Sequence, residues 1–510
     1  MAPKNPLVDL PEVFVSSTGL SNVVSRGIKT GELRQLGPRV YTKNLTALPE
    51  TIIARHLWPL ISQLLPGALI ADRTALELKP ARDGTVFVVS DRKRDIELPG
   101  LIIRPRKGPP PLPGSDLPFI GDLFRSSDAR AYLDNMAPSR RRTDRVSRTL
   151  SREEMEAHLE KALRFTGGAE ALNRTRDQAR KLAPLLGREA ELAAFDRLLS
   201  SLLGTHDAPL TTASGRARQA GIPYDPDRLQ LFERLHNDLR ATPPISRLVR
   251  EQGPEAYRIV AFFEAYFSNF IEGTKFRVDE ANDIIFKNEI PINRPADAHD
   301  IVGTWRIVSD QAEMSQLPQT PVALLELLKR RHRSVMGGRP ETHPGIFKVL
   351  PNQAGSTVFV APELVEGTLI RGHDLYRSLE TPFARAVYLM FLISEVHPFT
   401  DGNGRIARVM MNTELVAAGE QRIIIPTILR DNYIEALRAL SSPKAKDPRP
   451  LIRVLDYAQR WAAAVNWTGL NEARSELEQS HAFLESGEAE TQGIRLRIPD
   501  AMFGAMPATH

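Results

Sequence analysis

The chain has 510 residues, 42% hydrophobic and 25% charged, with a net charge of +5 and a pI near 9.3. The length exceeds what one core holds and predicts about three or four domains, while the balanced composition excludes a fully disordered or fibrous chain. The absence of cysteine excludes disulfides, Cys-ligated zinc, iron–sulfur clusters and thiol nucleophiles.

The first residues, MAPKNPLVDLPEVF, lack the basic start and apolar run of a secretory signal. Apolar runs such as Ala386 to Ile393 fall short of the ~18 residues a membrane span needs. A cytoplasmic chain without membrane contact is the expectation. Leu20 to Gly31 predicts a short helix with Gly31 at its C-terminal cap, and Leu33 to Thr42 a hairpin turning at Gly37-Pro38. Helix plus basic hairpin outlines a winged-helix DNA reader, with Arg26, Lys29, Arg34 and Arg39 available to phosphates. A plain αβ domain with a charged surface fits the same pattern, and both readings stay open.

Thr85 to Ser90 and Leu101 to Arg106 read as strands, followed by a proline-rich linker or exposed loop from Arg104 to Pro118. A second hydrophilic break, Pro138 to Arg152, carries Arg140, Arg141, Arg142, Arg145, Arg148 and Arg152. Without interleaved aromatic residues it reads as a solvated linker rather than a nucleic-acid arm. Helical spacing then dominates from Glu153 to Leu203, from Arg228 to Asn282 and from Leu364 to Trp467, with a strand-like stretch between Pro344 and Pro362. The expected division is an α+β region at 1–118, a linker and helical region at 119–235, a helical domain at 236–470 and a tail at 471–510.

The chemistry gathers at HPFTDGNGRIAR, His397 to Arg408. A helix capped by Thr381 and Pro382 is apolar almost all round, predicting a buried helix that delivers His397 before Pro398 stops it. Gly402, Asn403 and Gly404 precede a second helix, where glycines let backbone N–H groups converge and the helix dipole adds positive potential. Arg405 and Arg408 share a face of the first turn, against their electrostatic preference, which implies a bound polyanion. Asp401 is suited to hold Mg²⁺ beside phosphates, and His397 to take a proton from an incoming hydroxyl.

These residues match the signature H-x-F-x-(D/E)-G-N-G-R-x-x-R of the Fic family at every specified position, and the resemblance extends over about Leu248 to Trp467. It implies a mainly α fold: a Fic-type helical bundle with a β-hairpin flap, preceded by the small α+β region and a helical middle region. It also implies protein adenylyltransfer, AMP passing from ATP with Mg²⁺ to a Ser, Thr or Tyr hydroxyl of a target protein. By position, His397 resembles the family's base, Asp401 the metal ligand, Gly402 to Gly404 the phosphate nest, and Arg405 and Arg408 the outer-phosphate ligands. Phe399 resembles a core residue, Phe347 to Pro362 a flap that pairs with the target, and Tyr433 a neighbour of base or ribose. Ser441 stands where relatives often have Asn. Upstream, SNFIEG at Ser268 to Gly273 is similar to the family's inhibitory motif, which implies that Glu272 pairs with Arg408 and holds the site off. Removal of AMP by the same site remains an alternative. The first hundred residues are diffusely similar to abortive-infection (AbiEi-like) antitoxins, which keeps a DNA-binding regulator open. Self-modification and a homodimer are left open too.

Overall fold

The computed structural model describes residues 7, 9–139, 145–165, 167–206, 208–250, 253–355, 357–442 and 447–499. The chain divides into two compact units, 1–219 and 220–510. It is mainly helical, with small sheets confined largely to the first unit. No helix among the described residues is long and apolar enough to cross a membrane.

In the first unit, Val13–Val15, Val40–Thr42 and Arg34–Gly37 form a three-stranded antiparallel sheet in that order, beside the helix Ser21–Lys29. The expected helix and hairpin are therefore present, with Arg39 at positive φ in the turn. Two of the four cations assigned to phosphates are tied down locally: Arg34 donates to the Ala47 carbonyl at 2.6 Å and Arg39 to that of Ser16 at 2.9 Å.

A six-stranded sheet follows, with Leu101–Arg106 parallel to Thr85–Val89 and Leu117–Pro118 antiparallel to Phe124–Arg125 at one edge. The boundary expected at 118 thus falls inside a sheet. The proline-rich stretch is not a free linker either, because buried Arg130 donates to the carbonyls of Pro109 and Pro110 at 2.6 and 3.0 Å. In the second break, Arg140, Arg141 and Arg142 lie outside the described residues. Arg145, Arg148 and Arg152 pair with Asp95, Asp72 and Glu156, so these three belong to the fold rather than to a solvated arm. The helices Arg152–Phe165, Gly168–Leu186 and Glu189–Leu202 then close a core in which Tyr132 stacks on Phe195 at 5.1 Å.

The second unit is a helical bundle. Its longer helices are α1 (Pro226–Ala241), α2 (Pro254–Ile271), α3 (Pro295–Val308), α4 (Pro321–Met336), α5 (Val365–Arg377), α6 (Pro382–Val396), α7 (Asn403–Ala417), α8 (Arg430–Ser441), α9 (Arg449–Ala462) and α10 (Leu470–Gln479). The boundary expected at 235/236 falls within α1, whose Leu231, Phe232, Leu235 and Leu239 join the bundle core. α6 lies at the centre against α1, α5 and α7. Thr381 caps it by accepting from the Ala384 N–H, and its residues are buried from Phe383 to Val396 apart from Arg385 and Ser394. An apolar surface all round a helix is stable only when neighbours cover every side.

The expected tail is folded as far as it is described. Ala473, Leu477, Ala482, Ala489 and Leu496 enter the bundle core, and the Trp461 indole donates to the Ser480 hydroxyl at 3.1 Å. Ala473, Leu477 and Ala489 lie on two short helices, with Ala482 and Leu496 in the segments beside them.

Candidate active site

The loop between α6 and α7 is built largely from its own residues. His397 closes α6 in the left-handed conformation, φ 52°, so the chain turns sharply at that point. Phe399 drops into the core as expected, fully buried. The Asn403 side chain then closes the loop on itself, accepting from the Phe399 N–H and donating to the Phe399 carbonyl, both at 2.8 Å. Gly402, at φ +74°, stands before α7 and no side chain caps that helix. Its first-turn N–H groups are left for an anion, as the glycines predict.

A second histidine, which sequence reasoning missed, fixes the loop from below. His332 on α4 is fully buried and stacks on Phe399 with ring centroids 3.7 Å apart and planes 6° from parallel. Its Nδ1 accepts from the Gly345 N–H at 2.8 Å, so Nε2 carries the proton and donates to the Asp401 carbonyl at 2.9 Å. Burial pushes its pKa down to about 4, which keeps the ring neutral. The base of the flap adds further ties. The Lys348 ammonium donates to the Asn352 side chain at 2.6 Å, the Lys348 N–H to the Pro398 carbonyl and the Asn352 amide to the Phe399 carbonyl, both at 2.9 Å. Burial pushes the Lys348 ammonium down to about 7.

The His397 Nδ1 lies 3.2 Å from the Ser394 carbonyl, which can only accept. Nδ1 therefore carries the proton and Nε2 presents a lone pair. Burial, helped by the charge of Lys348, pushes this imidazole down to about 4. Phe359 of the flap covers one ring face, 3.7 Å away and 3° from parallel. The flap is the short hairpin Gln353–Ala354 with Thr357–Val358.

His397, Gly404, Arg408, Tyr433 and Glu272 line one cavity of about 660 Å³. Arg408 is buried, and its guanidinium meets the expected acid: Nη2 donates to Glu272 Oε1 at 2.7 Å. The same guanidinium also binds the Ser268 carbonyl at 2.9 Å and the Ser268 hydroxyl at 3.0 Å. A Cβ built on Gly404 would overlap Glu272 Oε1, so the carboxylate lies against the first turn of α7, where an anion is favoured. Tyr433 is buried, its hydroxyl donating to Met390 Sδ at 3.3 Å. Burial raises its pKa, opposed by Arg408 beside it.

One expected phosphate ligand is placed differently. Arg405 lies beneath the loop and pairs with buried Asp300 of α3 at 2.5 Å, and Arg339 joins that carboxylate at 2.8 Å. Its side chain is thus committed to α3, a partnership sequence could not reveal. Asp401 stands at the rim with its side chain 53% exposed, accepting from the Gly402 N–H at 2.7 Å. One exposed carboxylate beside a phosphate cradle suits Mg²⁺, which is held by one or two carboxylates plus substrate phosphates.

A model of the Fic/DOC family matches residues 323–415, the stretch from α4 to α7. The protein adenylyltransferase Fic of Drosophila persimilis is 26% identical over 295 residues, 56% of this chain and 56% of that protein. Its counterpart in Drosophila grimshawi is 25% identical over 284 residues, 54% of this chain and 56% of that protein. The chain thus spans about half the length of the curated relatives it matches. Among solved structures, Fic-1 from C. elegans is 18% identical, covering 64% of this chain and 88% of that one with a TM-score of 0.35. IbpAFic2 covalently tethered to Cdc42 is 16% identical, covering 56% and 88%, with a TM-score of 0.29.

Proposed function

We propose that this chain, which carries a Fic/DOC domain at residues 323–415, is a protein adenylyltransferase held off by its own Glu272. The observation that carries the reading is the ring of His397: neutral, held through Nδ1, and lining a cavity shared with an uncapped helix N-terminus and a buried arginine. A neutral imidazole in that position accepts the proton of a Ser, Thr or Tyr hydroxyl as its oxygen attacks the α-phosphorus of ATP. The new P–O bond forms as the bond from the α-phosphorus to the bridging oxygen breaks. Pyrophosphate leaves and AMP stays on the protein.

The α7 N-terminus and Arg408 are the groups suited to the phosphates. Asp401 would hold Mg²⁺, which when bound neutralises phosphate charge. The flap, Phe347 to Pro362, presents a short hairpin to which an extended target segment can add. A protein hydroxyl, on this chain or another, is the acceptor, and cytoplasmic ATP the donor.

Glu272 is the brake in this reading. Its carboxylate sits on Arg408 and against the first turn of α7, where it competes with substrate phosphate. A charge-assisted hydrogen bond of this kind is worth about 1.5–3 kcal/mol, or about ten- to a hundredfold in occupancy. Incubating lysate with α-labelled ATP tests both parts. Glu272→Gly should raise protein labelling about tenfold or more over wild type, and His397→Ala should abolish it. Labelling that survives His397→Ala would count against the mechanism, and an unchanged rate in Glu272→Gly against the brake.

A further inference from the structure

The cavity extends well beyond the phosphate cradle, along one face of α8. Arg430, at the start of α8, donates to the Ile271 carbonyl at 3.1 Å and so lies beside Glu272. Tyr433, Ile434, Leu437, Arg438 and Ser441 continue the lining at helical spacing. At a rise of ~1.5 Å per residue, Tyr433 to Ser441 spans ~12 Å, enough to run from a nucleotide's phosphates to its base.

The far end holds a buried carboxylate that the reaction above does not use. Glu395, in the last turn of α6, is 2% exposed yet lines the cavity. Its Oε2 accepts from the Ser441 hydroxyl at 2.5 Å. Arg228 Nη1 lies 2.5 Å from Oε1, but Oε1 has no aligned hydrogen-bond donor. Leu437 and Ile434 of α8 and Phe359 and Ala354 of the flap supply apolar lining beside the polar Thr357, Ser394, Glu435 and Arg438. A flat aromatic base can lie against those apolar side chains while its polar edge meets a buried hydrogen-bonding group.

We propose that Glu395 is the base-reading residue of this site, its carboxylate accepting from the exocyclic amine of an adenine that enters between α8 and the flap. A carboxylate can only accept, so it favours a base presenting N–H at that edge and repels a carbonyl there. Ser441, released from Glu395, donates to a neighbouring ring nitrogen. The assignment rests on the adenylyltransferase reading and gives it a specificity determinant outside the signature loop.

The test measures nucleotide binding and target labelling by the full chain carrying Glu272→Gly, with ATP, 2′-deoxy-ATP and purine riboside triphosphate, which lacks the amine. ATP should bind about ten- to a hundredfold more tightly than the amine-free analogue, the range for a hydrogen bond to a charged group. Adding Glu395→Gln, whose amide oxygen still accepts but carries no charge, should shrink that ratio to a few-fold while the analogue's own affinity holds. The ATP-to-analogue ratio without the second substitution gives an answer even where Glu395→Gln fails to fold. Equal binding of ATP and the analogue overturns the proposal, as does an equal loss of both in Glu395→Gln. A penalty carried by 2′-deoxy-ATP instead, removed by Glu395→Gln, would assign the carboxylate to ribose and overturn it as well. Binding of no nucleotide at all overturns the transferase reading and this one with it.

Discussion

Replacing His332 with Phe tests how the active loop is held. The substitution keeps an aromatic ring against Phe399 but removes both hydrogen bonds, to the Gly345 N–H and the Asp401 carbonyl. The first of these is buried and the second partly so, and an unmade buried hydrogen bond costs about 1–3 kcal/mol. The two together cost about 2–6 kcal/mol, or a fall in Tm of roughly 4–24 °C for a unit of this size. A second signature is pH dependence. The ring's folded pKa, about 4, lies below the unfolded 6.5, so between those values the unfolded chain binds more protons. Stability is therefore fully present above pH 6.5 and is lost as pH falls towards 4. At about 1.4 kcal/mol per pH unit, this one group accounts for ~3 kcal/mol of that loss. Thermal denaturation of wild type and His332→Phe from pH 4 to 8 measures both effects. A variant with unchanged Tm at pH 7.5 and an unchanged slope below pH 6.5 would refute the role given to His332.

Other outcomes follow from the same geometry. Because His397 is pushed down to about 4 and must be neutral to act, labelling by Glu272→Gly should hold level from pH 6 to 8 and fall only as pH approaches 4, as a pH–rate profile reads. Asp300→Asn removes the charge that buried Arg405 and Arg339 share, and should destabilise the chain by about 3 kcal/mol or more in denaturant unfolding. Truncation after 470 removes Ala473, Leu477, Ala482, Ala489 and Leu496 from the core, so the shortened chain should be markedly less stable or insoluble; an unaltered Tm would restore the tail reading.

The loop was legible in sequence because its chemistry is contiguous. His397, Asp401, Gly404 and Arg408 fall within twelve residues, and the conflict of Arg405 and Arg408 with the helix dipole is itself a local signal. Glu272 was found through a short motif of the same kind. Ser268, which also binds Arg408, is in that motif, yet the bond from Arg408 to the Ser268 carbonyl is a tertiary fact. Asp300, His332, Lys348 and Asn352 escaped notice because each acts through a neighbour brought near only by folding. A lone buried histidine at helical spacing looks like any core position. The edge strand at Leu117–Pro118 was hidden for another reason: two residues carry no period, and proline argued against pairing.

The burial of α2 bears on how the proposed inhibition would behave. From Ala256 to Ile271 the helix is covered almost throughout, and Glu264 binds Arg422 and Asn412 deep in the bundle. If Glu272 is the brake proposed above, it acts as a ligand tethered at fixed effective concentration to a buried helix. On that proposal its competition with ATP would be unaffected by dilution, and only the carboxylate and the last turn would need to move when nucleotide wins. Side-chain rotation of that kind is fast compared with helix displacement, so nucleotide exchange, rather than a slow conformational step, would set the pace of escape.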